Sequence, residues 1–424
     1  MTMMPSLRDA PNMRDALWLA EEPLRRLFDL LNVGGEEARV VGGAVRNELM
    51  GLPVGEKDIA TTATPDEVMR RAKAAGIKAV PTGLAHGTVT LVIDGEPFEV
   101  TTLRKDVETF GRKASVSFGR DWITDAKRRD FTINGLSVSS DGSVHDHVSG
   151  LADIVARRVR FIGDPETRIA EDYLRILRFF RIHATYGDGA PDRDALLACI
   201  RARRGIALLS AERLRMEMLK LMVAKGALAA IESMGDGGLL LAVTGGVTYH
   251  GVFAAMIDAE SELRLTPDPM RRLGALGVAV TEDAKRLSTR LRLTNAETKT
   301  LDSMGHRWWR LGHMDEGTAK RRLYRLGEAR YRDRNLLAWA RAGREADASE
   351  WRARVTLPQR WIAPTFPLKA ADFIARGISA GPGLGHVLTL AEDAWLAADF
   401  PLDHVALNAI ADATIARFQR DHRL

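Results

Sequence analysis

Val41-Gly42-Gly43-Ala44-Val45-Arg46, followed by Glu56-Lys57-Asp58-Ile59-Ala60-Thr61-Thr62-Ala63-Thr64-Pro65, decides how this chain reads. A short β-rich run, Arg39 to Val41, leads into two glycines and then a helical pattern. Glycines there let the backbone approach a phosphate, and the helix start offers free N–H groups. On its own, Gly42-Gly43 is a weak signal and reads more readily as a plain turn. The acidic pair adds weight, since Glu56 and Asp58 precede and open a strand-like run thirteen residues after Gly43. Residues i and i+2 of a strand share a face, so the two carboxylates project together. Like charges that close are unfavourable unless cations lie between them. Hard oxygens on one face suit Mg²⁺, which takes one or two carboxylates plus substrate phosphates. A charged turn before a strand is the plainer alternative.

Working outward, Thr88 to Ile93 and Phe98 to Leu103 read as strands, with Asp94-Gly95-Glu96-Pro97 as a tight hairpin between them. Thr64 before Pro65-Asp66-Glu67 reads as a helix N-cap. After Asp164 the period changes to helical, through Leu174, Leu177, Phe180 and Ile182, and stays so nearly to the end. Breaks are expected at Gly235 to Gly238 and near Pro364 to Leu368. The fold class is therefore α+β: a mixed-sheet head (1–163), a helical neck (164–235), then a helical body and tail (236–424).

Composition bounds the rest. The chain has 424 residues, 46% hydrophobic and 28% charged, with net charge +5. That length exceeds what one core usually supports. The mild positive excess suits a polyanionic partner. Apolar runs such as Leu239 to Val243 are too short to span a bilayer, and the first residues lack a signal-peptide pattern. Cys199 is the only cysteine, which excludes an internal disulfide and fits a reducing compartment, the cytoplasm. Between Leu301 and Arg360, 14 Lys/Arg stand against 8 Asp/Glu, with Trp308, Trp309, Tyr324, Tyr331, Trp339 and Trp351 interleaved. Such a mixture suits RNA contact, or else a helix with a charged outer face and an aromatic inner one. His145-Asp146-His147 reads as structural. No membrane and no obligate protein partner is called for.

The two opening blocks resemble the signature of class II CCA-adding enzymes and bacterial poly(A) polymerases, within the polymerase-β-like nucleotidyltransferases. Further blocks follow in family order over about residues 38 to 220. They are Phe98-Glu99-Val100-Thr101-Thr102-Leu103-Arg104, Arg128-Arg129-Asp130-Phe131-Thr132-Ile133-Asn134, Glu171-Asp172-Tyr173-Leu174-Arg175, and Glu212-Arg213 with Glu217. The resemblance implies a polymerase-β-like head with an all-α neck, body and tail. It implies addition of C, C and A to the tRNA 3′ end from CTP and ATP. The shared motifs leave open a poly(A) polymerase or a partial CC- or A-adding enzyme. A catalytically weakened RNA-binding relative is the alternative of another class.

The resemblance also assigns residues. Asp58 with Glu56 would hold the catalytic Mg²⁺, with Glu99 as a third carboxylate. Gly42, Gly43, Arg46, Arg128, Arg129, Asp130 and Asn134 would meet the triphosphate and ribose. Asp172 and Arg175, three apart on one expected helix, would read the base edge, with Arg178 bracing Asp172 or touching phosphate. The segment from Arg104 to Asp125, around Gly111-Arg112-Lys113, would be a flexible loop that helps switch from C to A. Two departures stand out. Glu56 replaces the usual first Asp of the metal pair, and Asn47 stands where many relatives carry Asp.

Overall fold

The computed structural model describes residues 11–110, 113–312, 314–343 and 348–421. Contacts divide the chain into two units, Met1–Thr248 with Thr289–Arg292, and Tyr249–Ser288 with Leu293–Leu424.

The first unit begins with α1 (Glu22–Leu31), β1 (Ala38–Val41), α2 (Gly43–Leu49), β2 (Asp58–Thr61) and α3 (Pro65–Ala74). It continues with β3 (Lys78–Gly83), β4 (Thr88–Ile93), β5 (Glu96–Thr102), β6 (Arg104–Phe110) and β7 (Lys113–Phe118). Then come α4 (Trp122–Lys127), β8 (Leu136–Val138) and β9 (Val144–Asp146). Seven strands form one sheet in the order β3-β4-β5-β2-β1-β8-β9. Only β2 and β5 pair in parallel, so the sheet is mixed.

Local chemistry explains these elements. In β4, Val89, Leu91 and Ile93 are buried while the alternate residues are not, the period-2 signature of a strand packed on one side. The following turn has Asp94 at φ 52° and Gly95 at φ 85°, and Ile93 faces Glu96 across it. Two positive φ values in a two-residue loop match the twist of a hairpin. Thr64 caps α3 by accepting from the Glu67 N–H, with Pro65 in the first turn. β1 is buried along its whole length, as a central strand should be.

The Arg104 to Asp125 segment differs from the loop expected. It forms the antiparallel hairpin β6–β7, with Arg104 opposite Phe118, and then α4, capped by Asp121. Alternating β-branched residues in the sequence (Val107, Thr109 and Val116) favour a strand over a loop. Gly111 and Arg112 lie outside the described residues.

Every later element is helical: α5 (Gly150–Val155), α6 (Pro165–Glu171), α7 (Leu174–Tyr186), α8 (Arg193–Arg201), α9 (Ala211–Met222), α10 (Ala227–Asp236) and α11 (Leu239–Thr244). The expected single helix through Asp172 and Arg175 is two helices. Asp172 ends α6 with φ −155° and ψ 106°, an extended backbone. Its carboxylate then accepts from the Leu174 N–H, as Asp does at a helix start. Phe131, Phe161 and Phe179 pack together with ring centroids 4.9 to 6.4 Å apart, which fastens the segment before η-turn Thr132–Asn134 to α7.

The second unit contains α12 (His250–Glu262), α13 (Pro269–Gly277), α14 (Thr281–Leu291, its last residues counted with the first unit), α15 (Asn295–Gly305), α16 (Glu316–Leu326) and α17 (Glu328–Ala342). It ends with α18 (Ala348–Val355), α19 (Leu357–Arg360), α20 (Ala370–Ile374), α21 (Pro382–Ala397) and α22 (His404–Asp421). Trp395, Phe373, Val387 and Ala411 centre one core cluster there. Residues 361–369 carry no helix, at the expected break. Of the interleaved aromatics, Tyr331 and Trp351 are core residues, and Tyr324 packs edge-on against Trp395. Several arginines of that stretch end on backbone carbonyls, Arg341 on Val278 and Arg354 on Leu311. Much of this stretch is thus internal structure. Among the described residues no helix is long and apolar enough to cross a membrane.

Candidate active site

A polar cleft of about 780 Å³ opens in the first unit between the sheet and α7. Its lining includes Gly42, Gly43, Arg46, Glu56, Asp58, Arg129, Asp130, Asn134, Asp172, Arg175 and Arg178. Sites named from separate sequence blocks therefore share one cavity.

The glycines come first. Gly42 sits between β1 and α2 at φ 72° and ψ −118°, which only glycine adopts without strain. A Cβ there would meet the Arg129 guanidinium at 3.5 Å, so the turn and that arginine are close.

The carboxylates lie on the sheet side. Asp58 opens β2, and the parallel register Ile59 to Val100 sets Glu99 of β5 beside it. Desolvation in the cleft, then the charges of Glu99 and Glu56, push the Asp58 pKa up, with Arg129 opposing. A buried carboxylate with other carboxylates beside it is poised for a cation. Among the described residues no three His, Cys, Asp or Glu side chains already enclose an ion position. A cation that keeps water and takes substrate phosphates as ligands needs no such cage.

Next come the basic groups. Asp125 on α4 binds Arg128 at 2.7 Å and Arg129 at 3.1 Å. Burial works to raise the Asp125 pKa, but the two guanidiniums outweigh it and hold the carboxyl below its ordinary value. Arg128 does not line the cleft; Arg129 does. The backbone carbonyls of both accept from Arg168. Asp130 is likewise held low against burial, by Arg178, Asn134 and the Phe131 N–H. The Arg178 fork therefore goes to Asp130, at 2.8 and 2.5 Å, and not to Asp172. Arg46 is buried against the Tyr186 ring at 3.7 Å and donates to the Tyr186 hydroxyl, Asn134 and Asn47. Asn47 is thus an acceptor for Arg46, and its amide donates to the Pro53 carbonyl at 2.8 Å.

The expected base-reading pair is spoken for by protein partners. Asp172 binds Arg213 of α9 through both oxygens, at 3.1 and 2.5 Å. Arg175 reaches Glu171 and the Arg168 carbonyl. The i, i+3 helical geometry fails because of the break at Asp172, yet both side chains still reach the cleft.

Sequence reasoning passed over Arg181, Tyr186 and Lys220, which line the same cleft, and gave Arg213 no role. A signal existed: Arg178, Arg181 and Ile182 follow helical spacing on α7. His145 and Asp146 lie elsewhere in structural roles. Asp146 accepts from three N–H groups at the start of α5, and His145 pairs with Ser139.

Both the sequence and the fold have known relatives. Residues 38–160 match the model of the Poly A polymerase head domain. The chain is 34% identical over 371 residues to a mitochondrial CCA tRNA nucleotidyltransferase 1 of Danio rerio, covering 85% of this chain and 83% of that protein. It is 40% identical over 200 residues to a CCA-adding enzyme of Leuconostoc citreum, covering 46% and 48%. Among solved structures, the Bacillus stearothermophilus CCA-adding enzyme in complex with CTP superposes with TM-score 0.71 at 25% identity, over 94% of this chain and all of that one. The Thermotoga maritima CCA-adding enzyme complexed with tRNA shares the fold, with TM-score 0.68 at 18% identity, over 95% and 98%.

Proposed function

The chain belongs to the class II CCA-adding enzymes, and from that premise we propose how its cleft performs the reaction. It extends the 3′ end of tRNA by C, C and A, taking CTP and ATP and releasing pyrophosphate. Enzymes of this family use divalent metal ions.

Our assignment makes the ion Mg²⁺, held by Asp58 with Glu56 and Glu99, where it would neutralise triphosphate charge and make the attacking 3′-OH more acidic. The raised Asp58 pKa supports this, because burial first and then the charges of Glu99 and Glu56 disfavour its ionised form until a cation joins it. Gly42 and Gly43 bring backbone close to the phosphates, and Arg129 supplies forked donors to them. Asp125 holds Arg129 in place. Asp130, Asn134 and Arg46 form a braced wall on the ribose side, tied through Arg178 to α7. Catalysis here is mostly positioning and charge.

Asp172 and Arg175 select the base. A carboxylate accepts the exocyclic amine of cytosine or adenine, and a guanidinium donates to the ring acceptor. Uracil and guanine reverse that pattern and leave charged groups unpaired. The head and neck carry this chemistry, and the helical body and tail hold the RNA. The lone, buried Cys199 fits a reducing compartment, the cytoplasm in our reading.

One observation carries the proposal: Glu56, Asp58, Arg129 and Asp172 line a single cleft. The test uses tRNA lacking its last three nucleotides, with Mg²⁺ and labelled nucleoside triphosphates. Incorporation of C, C and A that then stops is expected, and the Asp172→Ala variant should accept UTP and GTP. Long A tracts would redirect the assignment to a poly(A) polymerase, and unchanged selectivity in the variant would remove Asp172 from base reading.

A further inference from the structure

Within the second unit, the segment between α15 and α16 makes a short turn of one 3-10 helix, Trp308–Arg310. Arg307, just before it, is held at φ 51°, a left-handed backbone that a branched or long side chain rarely adopts. The turn separates its two tryptophans. Trp308 faces inward, donating to the Ala279 carbonyl at 2.7 Å with Arg341 4.8 Å from its ring centroid. Trp309 stands edge-on to it at 6.0 Å and is 54% exposed. A ring held outward by a fixed neighbour offers a flat face on which a nucleic-acid base can stack.

Cations converge on the same turn from two helices. Arg334 of α17 donates to the His306 carbonyl, and Arg322 of α16 to the Arg310 carbonyl. Buried nitrogens of both, Nη1 of Arg322 and Nε of Arg334, have no partner among the described residues. Burial, and for Arg334 the charge of Arg322, lower the pKa of each. Arg307 and Arg310 are exposed beside them. The nearby carboxylate of Glu350 is engaged by Arg354. Guanidiniums packed beside one another, with no carboxylate paired to Arg322 or Arg334 among the described residues, form a site for an external anion.

We propose that the turn at Arg307–Arg310, backed by Arg322 and Arg334, docks the phosphodiester backbone of RNA while Trp309 stacks on a base or sugar face. This rests on the reading that tRNA is the substrate. Arginine forks match phosphate oxygens, and an exposed indole adds stacking that an acidic peptide would not use.

The test is direct binding of tRNA lacking its 3′ end to the full chain, by filter retention across a salt series, beside Trp309→Ala, Arg310→Ala and Arg322→Lys. Trp309→Ala should weaken binding about tenfold, within the range for losing one stacked base. Arg310→Ala should lower the slope of log K against log salt by about one. CTP affinity without RNA should stay at the parent value, since that site lies in the other unit. Arg322→Lys keeps the charge but loses the fork, and should fall between the parent and Arg310→Ala. Matching tRNA affinities and salt slopes in all four proteins would overturn the inference. So would polyglutamate competing as well as RNA, with a dependence on Trp309. A parent protein that binds tRNA without extending it would count against the catalytic reading alone.

Discussion

Asp58 shows what one residue tells when its environment is known. Its pKa is raised, so the folded chain binds that proton more tightly than the unfolded chain does. Ionised Asp58 therefore costs stability at neutral pH, and the cost fades as pH falls through the window down to the ordinary Asp value of about 3.9. Asp58→Asn should raise the urea midpoint at pH 7 in the absence of divalent cation, and the gain should vanish near pH 3. Added Mg²⁺ should stabilise the parent and leave the variant unmoved. Nucleotide incorporation should fall by at least ~10²-fold, the scale of losing one preorganised electrostatic group. A variant less stable than the parent at pH 7 would show that burial and the neighbouring carboxylates do not destabilise ionised Asp58. Glu56 poses a related question. It reaches the cleft despite its extra methylene, so Glu56→Asp should change the Mg²⁺ concentration needed for half-maximal rate more than the rate at saturating metal.

Among the elements, the break between α6 and α7 matters most. Sequence spacing alone could place Asp172 and Arg175 on one helical face, because both flanks carry helical periodicity. What it could not show was the tertiary partner. Asp172 leaves the helix to meet Arg213, forty-one residues away, and its carboxylate restarts α7. Other elements were readable because their determinants are local: the Asp94-Gly95 turn, the Thr64 cap and the alternation in β4 all act within a few residues. The β6–β7 hairpin was missed since the charges of its sequence look like loop chemistry, while cross-strand pairing decides it. The partners of Arg178 and Asp125 were equally invisible, as each depends on neighbours brought by folding. The break also has a mechanical support. Gly205 lies against the Tyr173 ring, where a Cβ would come within 2.1 Å of it. Gly205→Ala must shift Tyr173, and with it the adjoining Asp172. A loss of about 1–3 kcal/mol is expected from overpacking, read from denaturant midpoints. Selectivity for CTP over UTP should drop with it, and retained selectivity would separate Tyr173 from the orientation of Asp172.

At the scale of the molecule, the two units hold themselves together differently. The first is organised by its sheet and by phenylalanines that tie the arginine block to α7. The second contains a buried charge network: Glu260 of α12 binds Arg271 at 2.8 Å and Arg272 at 2.6 Å, and Arg271 also binds Asp333 of α17 at 2.8 Å. Burial, opposed by Arg271, raises the Asp333 pKa, while Asp333 and then Glu260 hold the Arg271 guanidinium charged against its own burial. Removing one carboxylate from such a network leaves buried guanidinium charge less compensated, at a cost of about 3–5 kcal/mol. Glu260→Ala should therefore strip hydrogen-exchange protection from α12, α13 and α17 while the amides of β1, β2 and β5 keep theirs. Because the nucleotide cleft is built within the first unit, the variant should still bind CTP and lose affinity for tRNA. Loss of protection in the sheet at the same denaturant concentration would instead mean that the two units unfold as one, and that the nucleotide site depends on the helical half for its stability.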